Sequence, residues 1–209
     1  MLGIKWLFFD VGSTLMDESK VYDMRHAGIA EQAGVSFDEV RKRAIAYYRE
    51  GKKGDKESAA YYGVATPKWD SSLEVKYPDA DESLEKLSMH YKIGIIANQN
   101  LGTAKRLEEH GLLQYIDLVV ASAEEGVEKP DQGIFKIALQ RSGCEASAAC
   151  MIGDRMDNDI IPANKLGMKT VLIKRGFCAL DESSYTVTPD LTVDSLNELT
   201  EIFLSQEDK

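Results

Sequence analysis

Cysteine is scarce in this chain. Cys144, Cys150 and Cys178 are the three among 209 residues, and their spacing matches no metal motif and argues against a disulfide framework, leaving them as small apolar side chains. Long hydrophobic runs are absent as well. The longest apolar stretches are strand-sized, well short of the ~20 residues that cross a bilayer, and the N-terminus enters a strand without a signal-peptide pattern, so the expectation is a cytoplasmic protein. Positive charge is in deficit: 25 Lys and Arg against 35 Asp and Glu give a formal charge of −10. That balance argues against nucleic acid and anionic membranes as partners, because both are held by basic patches, but it leaves room for a small anionic substrate. No internal repeat or low-complexity segment is evident, and monomer and homodimer are equally compatible with the sequence.

What is present suits an ordinary core. With 44% hydrophobic and 29% charged residues, the chain can form one α/β domain plus a modest insertion. Short runs rich in Val and Ile at Ile4–Phe9, Ile93–Ala97, Leu118–Ala121, Ala149–Ile152 and Thr170–Ile173 alternate with amphipathic stretches near Glu82–Met89, Thr103–His110, Gln132–Ser142, Asp157–Leu166 and Ser195–Phe203. This alternation predicts a doubly wound parallel sheet, a Rossmann-like α/β fold. About sixty residues after the first strand carry helical patterns near Tyr22–Ala33, Phe37–Arg49 and Asp55–Tyr62. They read as a helical cap, residues 17–76, inserted into a core made of 1–16 and 77–209. Between Arg41 and Lys56, seven bases face two acids, a local excess that is either a solvated helix face or a means of steering anions.

Three segments carry the chemistry. Asp10 closes the first strand in Phe8-Phe9-Asp10-Val11-Gly12-Ser13-Thr14, at the strand end where ligands of α/β sheets bind. A lone aspartate there is usually a turn or cap residue. Two further segments change that reading: Glu128-Lys129-Pro130-Asp131 in mid-chain, and Met151-Ile152-Gly153-Asp154-Arg155-Met156-Asp157-Asn158-Asp159 after another apolar run. Three carboxylates within six residues are costly without a compensating cation, and an oxygen-rich set suits magnesium.

Taken together and in this order, the segments resemble the haloacid dehalogenase (HAD) superfamily, most of whose members are magnesium-dependent phosphatases working through an aspartyl phosphate. The resemblance implies that Asp10 is the nucleophile. It implies that Mg2+ is held by the Asp10 carboxylate, the Gly12 carbonyl and Asp154, with Asp157 and Asp159 in an outer shell, and that Lys129 neutralises charge on the nucleophile and the phosphoryl group. A small phosphorylated metabolite is the expected substrate.

Two positions depart from the pattern. Where family phosphatases carry an aspartate that protonates the leaving oxygen, this chain has Gly12; general acid catalysis is worth ~10²–10⁴-fold. Where the second motif ends in Ser or Thr, this chain reads Ile96-Ala97-Asn98-Gln99, and a lost donor of that kind costs ~10²–10³-fold. Ser13, Asn98 and Gln99 are the candidate substrate-binding groups that could compensate. The sequence therefore leaves several readings open: a phosphatase, a phosphonatase-type hydrolase using a cap lysine such as Lys52, Lys53 or Lys56, or a catalytically weak relative that binds metal, phosphate or a partner.

Overall fold

The structure, a computed structural model, describes residues 3–176 and 186–205; Cys178 lies outside them. Its framework is a parallel sheet built from β1 (Trp6–Phe9), β4 (Lys92–Ala97), β5 (Leu118–Ala121), β6 (Ala149–Gly153), β7 (Lys169–Ile173) and β8 (Leu191–Val193). The order across the sheet is β5-β4-β1-β6-β7-β8. β1 lies between two partners that follow it by more than eighty residues, with Phe9 opposite Ile95 on one side and Ile152 on the other.

Because side chains alternate along a strand, Leu7 and Phe9 enter one apolar layer and Phe8 the other. Helices cover both layers. On the first side lie α4 (Ala80–Ser88), α5 (Thr103–Glu109) and α9 (Leu196–Leu204), which contribute Leu84, Leu87, Leu107, Leu199 and Phe203. The short α6 (Ser122–Glu125) follows β5, and on the second side α7 (Gln132–Ser142) and α8 (Ile161–Lys165) contribute Ile134, Phe135, Ala138 and Ala163. With both faces covered, the strands read as continuous apolar runs. Gly94 in β4 has a packing cause: it lies opposite Phe8, and a Cβ there would meet the phenyl ring at 2.5 Å.

Between the short antiparallel pair β2 (Met16–Asp17) and β3 (Val75–Lys76) runs a helical segment of α1 (Ser19–Ala33), α2 (Phe37–Arg49) and α3 (Gly54–Tyr62). Ile29, Ala30, Val40 and Ala59 form its own small core. Ser36 caps α2 by accepting from the Glu39 amide, a contact typically worth ~1 kcal/mol. Of the histidines, His26 is buried here beside Tyr22 and Phe37.

Two features depart from the sequence expectation. β8 is a sixth strand in a stretch too short and mixed to show a period. The helix expected over Asp157–Leu166 begins as a π-turn, Met156–Ile160, before α8, with the Ile160 amide reaching the Arg155 carbonyl at 3.3 Å. The wide turn accompanies a side-chain bond from Asp159 back to the Arg155 amide, 3.0 Å, which holds the chain at the strand end.

Candidate active site

The ends of β1, β4 and β6 converge on a cleft of about 600 Å³, within the range of pockets for small molecules. The Asp10 amide donates to Ile152 O at 2.9 Å, which ties the end of β1 to that of β6. The Asp10 carboxylate then meets the Lys129 Nζ at 2.8 Å, and the same ammonium bonds Asp159 Oδ1 at 2.6 Å. Asp10, Asp154 and Asp159 each offer an oxygen within 4.8 Å of the others.

Burial shapes the charges of this group. Burial alone would push the Lys129 ammonium down, but Asp10 and Asp159 beside it more than reverse the effect and hold it above the usual lysine value. Burial, with the Asp159 and Asp10 carboxylates, pushes Asp154 well above the usual carboxylate range. Asp159 is pushed up by burial and pulled back by Lys129, to about 6. Three crowded carboxylates around one ammonium are short of positive charge, which is the setting a divalent cation fits.

Local geometry explains the glycines around them. A Cβ on Gly153 would meet Asp159 Cγ at 2.4 Å, and one on Gly176 would meet Ser13 Oγ at 2.4 Å. Ser13 itself is buried with φ 53°, a conformation uncommon outside glycine, and its amide donates to Met16 O at 2.7 Å. The Leu15 and Met16 amides both reach the Val11 carbonyl, so the chain reverses sharply here. That reversal returns Glu18 to Gly12: a Cβ on Gly12 would stand 2.5 Å from both Glu18 carboxyl oxygens. Burial, then Asp10 and Glu74, push Glu18 up to about 8.

The sequence-derived candidates fall into different places. Asp10, Gly12, Ser13, Asn98, Gln99, Lys129 and Asp154 all line the cleft. The Asn98 carboxamide grips the Lys129 backbone from both ends, donating to Lys129 O at 2.8 Å and accepting from Lys129 N at 2.7 Å. Gln99 Nε2 donates to Glu18 at 3.3 Å while its Oε1 accepts from Arg106 at 3.0 Å. Asp157 stands apart from the carboxylate cluster. It accepts two bonds from the Arg155 guanidinium, at 3.0 and 2.5 Å. Pro130 follows a cis peptide bond, and α7 is capped by Asp131, which accepts from the Gly133 amide at 2.7 Å.

The opposite wall comes from the helical segment. Tyr22 lies edge-on to Tyr48 and Trp69, at 5.9 and 5.3 Å, and a buried Arg25–Asp55 ion pair lies among the lining residues. Of the cationic run, Lys53 and Lys56 reach the cleft, and Lys53 bonds Glu128 across its mouth at 3.0 Å. Glu18, Arg25 and Tyr22 went unread in the sequence; they carry no motif, and the chain reversal that places Glu18 is set by backbone bonds.

The comparisons agree with this geometry. A family model described as HAD-hydrolase-like matches residues 127–199. A ribulose-1,5-bisphosphate 5-phosphatase of Halopiger xanaduensis is 37% identical over 148 residues, 64% of this chain and 60% of that protein, so the match spans less than two thirds of the relative's length. A glyceraldehyde 3-phosphate phosphatase of Pyrococcus abyssi is 30% identical over 198 residues, 83% of this chain and 82% of that protein. A solved HAD phosphatase from Thermococcus onnurineus superposes with a TM-score of 0.70 at 25% identity, covering 96% of this chain and 98% of its own. With its parallel sheet, its carboxylate cluster at the central strand ends and these relatives, the chain belongs to the HAD-like hydrolase superfamily.

Proposed function

We propose that this chain is a magnesium-dependent phosphatase of small phosphorylated metabolites, with Asp10 as the nucleophile. The observation that carries the reading is the buried Lys129 ammonium bridging Asp10 and Asp159 at 2.8 and 2.6 Å, beside Asp154. A carboxylate attacking phosphorus must be ionised and must approach an anion, and a fixed ammonium at its side answers both needs. Asp10, the Gly12 carbonyl and Asp154 would hold Mg2+, which supplies further neutralisation of the phosphoryl oxygens. Asp159, with one oxygen on Lys129 and the other on the Arg155 amide, orients the lysine. Asn98 fixes the backbone of that lysine, and Ser13 offers its hydroxyl to the phosphoryl group.

The helical segment, residues 17–76, serves as a cap over the core formed by 1–16 and 77–209, and its aromatic wall selects the substrate. A cleft of about 600 Å³ and relatives named for ribulose-1,5-bisphosphate and glyceraldehyde 3-phosphate support a phosphorylated sugar of a few carbons. The missing carboxyl at Gly12 and the missing hydroxyl at Ala97 favour a second reading, a catalytically weak relative that retains metal and phosphate binding. The presence of Lys53 and Lys56 on the cleft keeps a phosphonatase-type hydrolase as an outcome of the test.

The test is phosphate release with magnesium from acetyl phosphate, an aryl phosphate and a panel of three- to five-carbon sugar phosphates, comparing wild type with Asp10→Ala. Turnover that the substitution abolishes and a chelator suppresses is expected. Turnover that survives Asp10→Ala would refute the nucleophile, and no turnover of any ester would move the weight to a phosphonate substrate or to the binding reading.

A further inference from the structure

When a phosphate ester is cleaved, the electron pair of the breaking P–O bond goes to the leaving oxygen, and an alkoxide is a poor leaving group unless a proton reaches it. Gly12 has none to give. The carboxyl groups that line the cleft are few, and most are committed: Asp10 and Asp154 belong to the Lys129 cluster, Asp55 is paired with Arg25, and Glu128 with Lys53. Glu18 differs. Among the described residues it has no cation within ion-pair distance, and its hydrogen-bond partner is the neutral Gln99 amide at 3.3 Å. Its side chain is buried yet lines the same cleft as Asp10 and Gly12.

Its position is specific. An atom added at Gly12 would lie 2.5 Å from each Glu18 carboxyl oxygen and 2.6 Å from the carboxyl carbon. Real side chains do not approach so closely, so a residue larger than glycine at position 12 and a glutamate at 18 in this conformation exclude each other. A side chain at position 12 would have to displace the end of Glu18, so the glycine leaves open the space that the carboxyl occupies. Gln99, held by Arg106 on its far side, keeps the carboxyl there.

Resting on the phosphatase reading above, we infer that Glu18 is the acid–base residue of this site, its carboxyl standing in the space that a side chain at position 12 would fill. In the first step a bond forms from Asp10 to phosphorus and the ester P–O bond breaks. The leaving oxygen takes the Glu18 proton, which yields an alcohol, an aspartyl phosphate and the Glu18 carboxylate. In the second step that carboxylate takes a proton from the attacking water. The new P–O bond forms as the acyl phosphate bond breaks, and inorganic phosphate, the Asp10 carboxylate and the Glu18 acid are restored.

The experiment compares Glu18→Gln, Glu18→Ala and the pair Gly12→Asp with Glu18→Ala on two magnesium-supported substrates: p-nitrophenyl phosphate, whose leaving group needs no proton, and a sugar phosphate, whose leaving group does. Glu18→Gln should lower kcat on the sugar phosphate by ~10²–10⁴-fold, with the loss on p-nitrophenyl phosphate at least tenfold smaller. Gly12→Asp should recover sugar phosphate turnover in the Glu18→Ala background. Equal losses on both esters, or none, would overturn the inference while Asp10-dependent turnover leaves the phosphatase reading standing; absence of Asp10-dependent turnover of any ester overturns both. A melting series without substrate checks the shared space: Gly12→Ala should lower Tm in the wild type and less so when Glu18 is alanine, and additive effects would overturn it.

Discussion

Replacing Lys129 by methionine keeps much of the length of the side chain and removes its charge. The ammonium is almost wholly buried and touches two carboxylates, with a third beside them, so the variant leaves three acids facing one another with no protein cation between them. Removing one partner of a buried ion pair typically costs ~3–5 kcal/mol. For a domain of this size each kcal/mol moves Tm by ~2–4 °C, so the expected loss is ~6–20 °C in the absence of divalent cations. Calorimetry with and without magnesium chloride measures it. Added magnesium should return more of the loss in the variant than it adds to the wild type, because a bound cation supplies the missing charge. A melting point within ~2 °C of wild type in metal-free buffer would refute the reasoning, since it would mean that the cluster does not depend on the lysine.

Gly153→Ala places a methyl group 2.4 Å from Asp159 Cγ and should cost ~1–3 kcal/mol, measured by urea denaturation; a neutral effect would show that Asp159 can move without loss. His26 gives a pH dependence. Burial holds its imidazole below the usual value, only partly opposed by Asp55 and Asp23, with Arg41 and Arg25 acting in the same direction as burial. Neither ring nitrogen has a hydrogen-bond partner among the described residues. The unfolded chain therefore takes up the proton first, near pH ~6.5. Stability is full above that pH and falls as pH drops towards the folded value, by up to ~1.4 kcal/mol per unit. Denaturation at pH 7.5 and 5.5 should show a smaller decline in His26→Gln than in the wild type, and equal declines would remove His26 as a source.

Five of the six strands of the sheet were legible because burial on both faces writes them as unbroken apolar runs, and Asp10 and Asp154 were legible because they stand directly after two of those runs. Asp157 was not. In a sequence it looks like its neighbour two residues on, and only the wide turn at Met156–Ile160 sends one carboxylate to Lys129 and the other to Arg155. Asn98 was read as a group for substrate, yet its amide matches the two backbone groups of Lys129, a pairing across thirty-one residues that no local pattern encodes. Glu18 was invisible for a related reason. Its place depends on the reversal at Val11–Met16, and the only trace in the sequence was the glycine that makes room for it.

The sheet order has a consequence for how the chain comes to function during synthesis. β1 is the first strand made, but its neighbours on either side are completed only at Ala97 and Gly153, and the cluster draws on positions 10, 129, 154 and 159. Until residue 159 has left the ribosome, the set of Asp10, Lys129, Asp154 and Asp159 is incomplete. Most pairings that build the site are distant in sequence and therefore late in folding. The assembled cluster and the completed fold therefore arrive together.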